Sequence, residues 1–197
     1  MTVKMTVYIT CINKSINKQI MDMKNVSFER NLTCGRQVEE AVKKWLGELL
    51  PDYDVFISDQ EDEIERIEWS CIDVIVAVGH HPVLGIECKL GQEKYLACKN
   101  RCGWDGDYNT PLNRSSLHRY KQAQFPVWVI NINQWCRKAF VAPLPVILAS
   151  PNDAGQNTKR SGEIIYNVDS GNWNIYEGGF TLKDILKDIL RKEGLRK

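Results

Sequence analysis

The chain has 197 residues with 26 Lys and Arg against 25 Asp and Glu, a formal net charge of +1. No chain-wide field marks it for nucleic acid, so any basic surface must be local. The length suits one domain with a sizeable core. Apolar runs such as Val74 to Val78 are far too short to span a bilayer, which argues against a membrane partner. The N-terminal MTVKMTVYIT lacks the apolar stretch and cleavage site of a secretory leader, and seven cysteines without a framework rhythm read as reduced thiols. A cytoplasmic protein is expected.

Residues 1 to 32 are polar and weakly patterned, with a short strand expected at Val7 to Ile12. Residues 36 to 50 predict a helix: Val38, Ala41, Val42, Trp45, Leu46 and Leu49 form one apolar stripe that Pro51 ends. At about 100° per residue, Glu39 sits on the edge of that stripe and Glu40 points to solvent. Tyr53 to Ser58 reads as a strand, and the acidic run from Asp59 to Glu68 as a solvated face. Ile72 to Val78 is a β-branched strand, Gly79 to Pro82 a turn, and Val83 to Leu90 the returning strand of a hairpin.

From Gly91 to Asn113 the pattern loosens. Ser115 to Gln124 predicts a second helix capped by Ser115 or Ser116, and Pro126 to Ile132 another strand. Ala139 to Leu148 and Glu163 to Trp173 look β-rich, with a turn at Asp169 to Asn172. Thr181 to Lys192 is an amphipathic helix in which Thr181 and Asp184 form a capping box. Gly178-Gly179 links into it.

Chemistry concentrates on the hairpin. Glu87 and Lys89 are two residues apart on a strand and share a face, while Ile86 and Cys88 share the other. A carboxylate and an ammonium in the middle of an apolar strand are costly to bury. Asp73 lies within cross-strand reach for a suitable register. Two carboxylates beside an ammonium suit a hard divalent cation that keeps several waters, orients a phosphate and acidifies water. A lysine there can position that water or stabilise charge building on the phosphorane. The plainer reading is a buried salt bridge of Lys89 with Glu87 or Asp73.

Ile72-Asp73, thirteen residues, then Glu87-Cys88-Lys89 resembles the signature of the PD-(D/E)XK nuclease superfamily, with Ile72 where the family name has proline. Gly35-Arg36-Gln37-Val38-Glu39 resembles that family's motif on its first helix. The resemblance implies an α/β fold with a restriction-endonuclease-like core (helix, three strands, helix, strand) and a central mixed β-sheet flanked by helices. It implies a single nuclease domain over 1–197, with its core at about 34–133 and a C-terminal β-rich extension and helix at about 138–197. Asp73 and Glu87 would hold Mg2+ or Mn2+, with the Cys88 backbone carbonyl as a third ligand and Glu39 acting directly or through water. Lys89 would position the attacking water. Glu39, Asp73, Glu87 and Lys89 would then hydrolyse phosphodiester bonds, in DNA above all, leaving a 5′-phosphate and a 3′-hydroxyl. Homodimers often cut both strands, and nothing in the sequence fixes the oligomeric state.

After the second motif, Lys94, Lys99, Arg101, Arg114, Arg119 and Lys121 interleave with Tyr95, Trp104, Tyr108 and Tyr120. Basic groups pair with phosphates and aromatics stack on bases, so a substrate wall is one reading and a solvated loop and helix face the other. Gln92 and Gln122 are weaker candidates for a phosphate or water contact. Cys98 and Cys102, with Cys34 and Cys136, would need four well-placed thiolates to hold a cluster, and free thiols are the better account. His80 and His81 suit a turn rather than a zinc site. The basic tail of Arg191, Lys192, Arg196 and Lys197 reads as a solubility feature. The alternative function is a catalytically inactive nuclease-like fold serving as a nucleic-acid-binding or protein-interaction module.

Overall fold

The structure is a computed structural model that describes residues 28–58, 72–79, 81–91, 109–133, 138–149, 163–167 and 173–195. The chain divides into two compact units, residues 1–34 and 35–197. In chain order the elements are α1 (Phe28–Leu49), β1 (Asp54–Ile57), β2 (Val74–Val78), β3 (His81–Gly91), β4 (Asn109–Asn113), α2 (Arg114–Tyr120), β5 (Val127–Asn133), β6 (Lys138–Pro143), α3 (Leu144–Ala149), β7 (Glu163–Asn167), β8 (Asn174–Glu177) and α4 (Leu182–Lys192).

Six strands form one mixed sheet in the order β1-β2-β3-β5-β6-β8. All neighbours are antiparallel except β3 and β5, which run parallel. A parallel pair needs a long crossover, and β4 with α2 lies within that connection. This is the α/β arrangement that the sequence leads one to expect: a helix, three strands of the sheet, a helix and a further strand of it in order, with a central mixed sheet flanked by helices. Two apolar layers flank the sheet. On one side Val42 and Leu46 of α1 and Ile185, Leu186, Ile189 and Leu190 of α4 pack over Val74, Val76, Leu84, Ile86, Trp128 and Ile130. On the other, Leu117 and Tyr120 of α2 and Ile147 of α3 pack over Ile75, Ala77, Val129, Phe140 and Ala142.

The hairpin of β2 and β3 sets which residues face which layer. Its turn carries Gly79 at φ 59°, a left-handed conformation that glycine adopts without strain. The register slips between Val76 and Ala77, because Val76 pairs with Leu84 and Ala77 with Pro82. The extra residue on β3 is a bulge, tolerant of a proline that cannot donate to the ladder. Beyond it Ile75 faces Gly85 and Val74 faces Ile86, which ends the β2–β3 ladder.

Several expectations change. The first helix begins at Phe28, eight residues before the apolar stripe becomes readable. The segment from Gly91 to Asn113, read as loose, ends in β4, which pairs with β7 in a separate two-stranded sheet. Its partner lies some fifty residues later, and Pro111 inside it is a poor strand signal. The second helix starts at Arg114 and stops at Tyr120, so Ser115 and Ser116 lie inside it rather than at its cap, and Gln122 lies in the following turn. Ala139 to Leu148 is half strand, half helix: the ladder ends at Pro143 and α3 follows. Pro145 sits in the first turn of α3, where its missing N–H would have no helical partner anyway. Within Glu163 to Trp173, read as β-rich, β7 occupies Glu163–Asn167, and β8 begins only at Asn174, in the other sheet. The strand expected at Val7 to Ile12 and the turn at Asp169 to Asn172 lie outside the described residues.

The last helix matches its reading closely. Thr181 caps α4, accepting from the Asp184 N–H at 3.1 Å while the Asp184 carboxylate accepts from the Thr181 N–H at 3.2 Å. Among the described residues no helix is long and apolar enough to cross a membrane.

Candidate active site

Alternation along β3 decides which side chains meet. Leu84, Ile86 and Cys88 enter the layer beneath α1 and α4, so Gly85, Glu87 and Lys89 face the α2 side. Glu87 sits among apolar neighbours and is 1 % exposed. A carboxylate so buried is costly unless it is paired. The Lys89 ammonium contacts its Oε1, while its Oε2 is buried with no hydrogen-bond partner. The buried pair foreseen as the plain reading is therefore present, and it leaves half of the carboxylate unanswered.

Asp73 reaches the same place from the end of β2. Ile72 and Asp73 form a bend just before the strand, so the ladder stops at Ile86, two residues short of Cys88. The Cys88 N–H would be left without a strand partner, and it donates instead to Asp73 Oδ2 at 2.7 Å. Burial and the nearby Glu87 charge push the Asp73 carboxyl up to about 7, against the opposing pull of Lys89 and of the Cys88 bond. Burial works against the charged form of Lys89, but Glu87 and Asp73 outweigh it and hold the ammonium above its ordinary range. Burial, with Asp73 and Glu87 adding to it, also keeps the Cys88 thiol protonated.

Glu39 of α1 acts on this pair through its charge. It is mostly buried and accepts from Arg36 Nη1 at 2.9 Å, whereas Glu40 is exposed. Its charge reaches the cluster and raises Asp73 further. Their exposure matches the helical wheel, which puts Glu39 on the edge of the apolar stripe and Glu40 toward solvent.

These donors suit a hard divalent cation in chemistry. They are carboxylate oxygens, one buried and unpartnered, and a cation between Asp73 and Glu87 would relieve their mutual repulsion. Among the described residues no three His, Cys, Asp or Glu side chains converge as a full ligand set. Asp73 and Glu87 supply two, and backbone or water oxygens would have to supply the rest, as magnesium commonly requires.

Tyr120 is a further member of the site. Read in the sequence as an aromatic for stacking on bases, it is buried at the end of α2 and offers no stacking face. Its hydroxyl lies near enough to Glu87 and Ser116 to be affected by both, yet it completes no hydrogen bond with either. Burial and the Glu87 charge keep it firmly protonated. The available signal was its helical spacing from Leu117, which assigns both to the inner face of a helix.

Of the basic segment, Arg119, Lys121 and Gln122 are exposed at and just beyond the end of α2. Arg114 is the first residue of α2. Gln92, Lys94, Lys99 and Arg101 lie outside the described residues, as do Cys98, Cys102, Cys136, His80 and the acidic run from Asp59 to Glu68.

No protein-family model matches the chain, and no curated protein matches it. Among solved structures the chain is similar to D212, a nuclease from a fusselovirus, at 16 % identity and a TM-score of 0.48, over 88 % of this chain and 96 % of that one. A likeness of that degree says nothing about chemistry, which must come from the site itself.

Proposed function

We propose that this chain is a divalent-metal-dependent nuclease of the PD-(D/E)XK superfamily that hydrolyses phosphodiester bonds, in DNA above all. The observation that carries the reading is Glu87: a carboxylate at the centre of an apolar sheet, half answered by Lys89 and facing Asp73 across the hairpin. A structural role alone would be met more cheaply by an apolar residue of similar size. Asp73 and Glu87 would hold magnesium or manganese, with the Cys88 carbonyl and, through water, Glu39. Such a cation polarises a phosphate and acidifies a bound water. Lys89, kept charged by its neighbours, would orient the attacking water or meet charge building on the phosphate. Arg119 and Lys121 would contact the nucleic-acid backbone.

The contact between Lys89 and Glu87 also fits an inactive nuclease-like fold that only binds nucleic acid or protein. Labelled plasmid, linear duplex, single-stranded DNA and RNA, incubated with magnesium, manganese or chelator, separate the two. Cleavage is expected with metal alone and should fall at least about 100-fold in Asp73→Ala, Glu87→Ala and Lys89→Ala. Glu40→Ala should cut like wild type. Equal cutting by Asp73→Ala would sink the mechanism, and no cutting by a folded wild type would favour the binding module.

A further inference from the structure

Glu87 does not stand alone as a buried polar side chain. Among the described residues two others share that burial, Asn131 and Asn133 of β5. On β5, Val127 and Val129 join the layer beneath α2, and Trp128 and Ile130 join the opposite one. Alternation therefore carries Asn131 and Asn133 onto the face of Glu87 and Lys89. β3 and β5 are the parallel pair, and their register sets Glu87 beside Val129, Lys89 beside Asn131 and Gly91 beside Asn133. Adjacent strands lie about 4.8 Å apart, so the Asn131 side chain starts one strand spacing from that of Lys89.

Asparagine is a poor strand former, and a buried amide is costly without partners. The same strand face takes valine at 127 and 129 and turns to asparagine only from the position level with Lys89. Asn131 and Asn133 both interact within the protein. A side-chain amide has two donor hydrogens and a two-lone-pair oxygen, so Asn131 can keep an internal contact and still donate to a substrate oxygen.

We propose that Asn131 is a substrate-contacting residue that donates its side-chain N–H to a non-bridging oxygen of the nucleic-acid phosphate held beside Lys89. The assignment rests on the nuclease-like reading of this face. A neutral donor is suited to that place: it meets phosphate charge without adding a second ammonium to compete for Glu87 and Asp73.

Two readouts test it, cleavage of a labelled DNA oligonucleotide in manganese and binding of the same oligonucleotide in calcium by fluorescence anisotropy. Asn131→Ala should cut about 10- to 100-fold more slowly and bind more weakly, with its melting temperature within a few degrees of wild type. The near-isosteric Asn131→Asp should bind more weakly still. Should the alanine variant fail to fold, Asn131→Ser carries the same readouts. Unchanged cutting and binding in these variants, beside a wild type that cuts, would overturn the role of Asn131 and leave the nuclease standing. A wild type that binds without cutting, with weaker binding in Asn131→Ala, would keep the phosphate contact and overturn the nuclease. A wild type that neither cuts nor binds would overturn both.

Discussion

At the scale of single residues, the acidic cluster makes a pH prediction with a definite sign. Asp73 ionises near its ordinary value of 3.8 when unfolded and at about 7 in the fold. Between those values the folded state holds the extra proton, so protons favour folding there. The associated stability is complete below 3.8 and is lost as pH rises through 7. Metal-free melting temperatures in chelator should therefore fall from pH 5 to pH 8, and Asp73→Asn should flatten that fall. Parallel curves for the two proteins would show that another group is responsible. If magnesium is held by the ionised carboxylates as proposed, it should act the other way and raise the melting temperature more at pH 8 than at pH 5.

At the scale of elements, β3 depends on a glycine just before its charged pair. A Cβ at Gly85 would stand 3.0 Å from Ile72 Cγ2 and 3.0 Å from Phe125 Cε2. Those side chains wedge the bend that presents Asp73 and the turn that enters β5. Gly85→Val should cost about 1–3 kcal/mol by overpacking and reduce cutting through displacement of Asp73. Chemical denaturation gives the first quantity and the cleavage assay the second. In α4 the capping box predicts a separate, purely structural effect. Thr181→Ala should lose about 1 kcal/mol of stability, with cutting unchanged below the melting transition.

At the scale of the whole sheet, β5 is tied to the last helix. The buried Trp128 donates its indole N–H to Glu193 Oε1 at 2.6 Å, just past the end of α4, and Lys192 lies over the same ring at 5.5 Å. α4 is bound to α1 as well, since Lys183 lies over Trp45 at 4.1 Å and pairs with Glu48 at 3.2 Å. The C-terminal helix thereby braces two of the elements that carry the site, α1 with Glu39 and β5 beside Lys89. Glu193→Ala would leave the indole N–H of Trp128 without its partner and should cost about 1–3 kcal/mol, with a shifted tryptophan emission spectrum. An unchanged spectrum and stability would show that water replaces Glu193 there.

What depends on local period and chemistry was legible along the chain. Alternation placed Glu87 and Lys89 on one strand face, the helical stripe separated Glu39 from Glu40, and Thr181 with Asp184 named the start of α4. Each of these follows from side-chain directions along one element. Tertiary structure decided what depends on partners distant in the chain. β4 exists because β7 pairs with it, α3 begins where β6 loses its ladder, and the Asp73 carboxylate replaces a missing strand partner for Cys88. Tyr120 and Asn131 look ordinary in sequence and come to the face of Glu87 and Lys89 only because α2 packs over the sheet and β5 runs parallel to β3. Short-range pattern carries no record of those pairings, because strand register and helix packing are fixed by contacts between segments rather than within them.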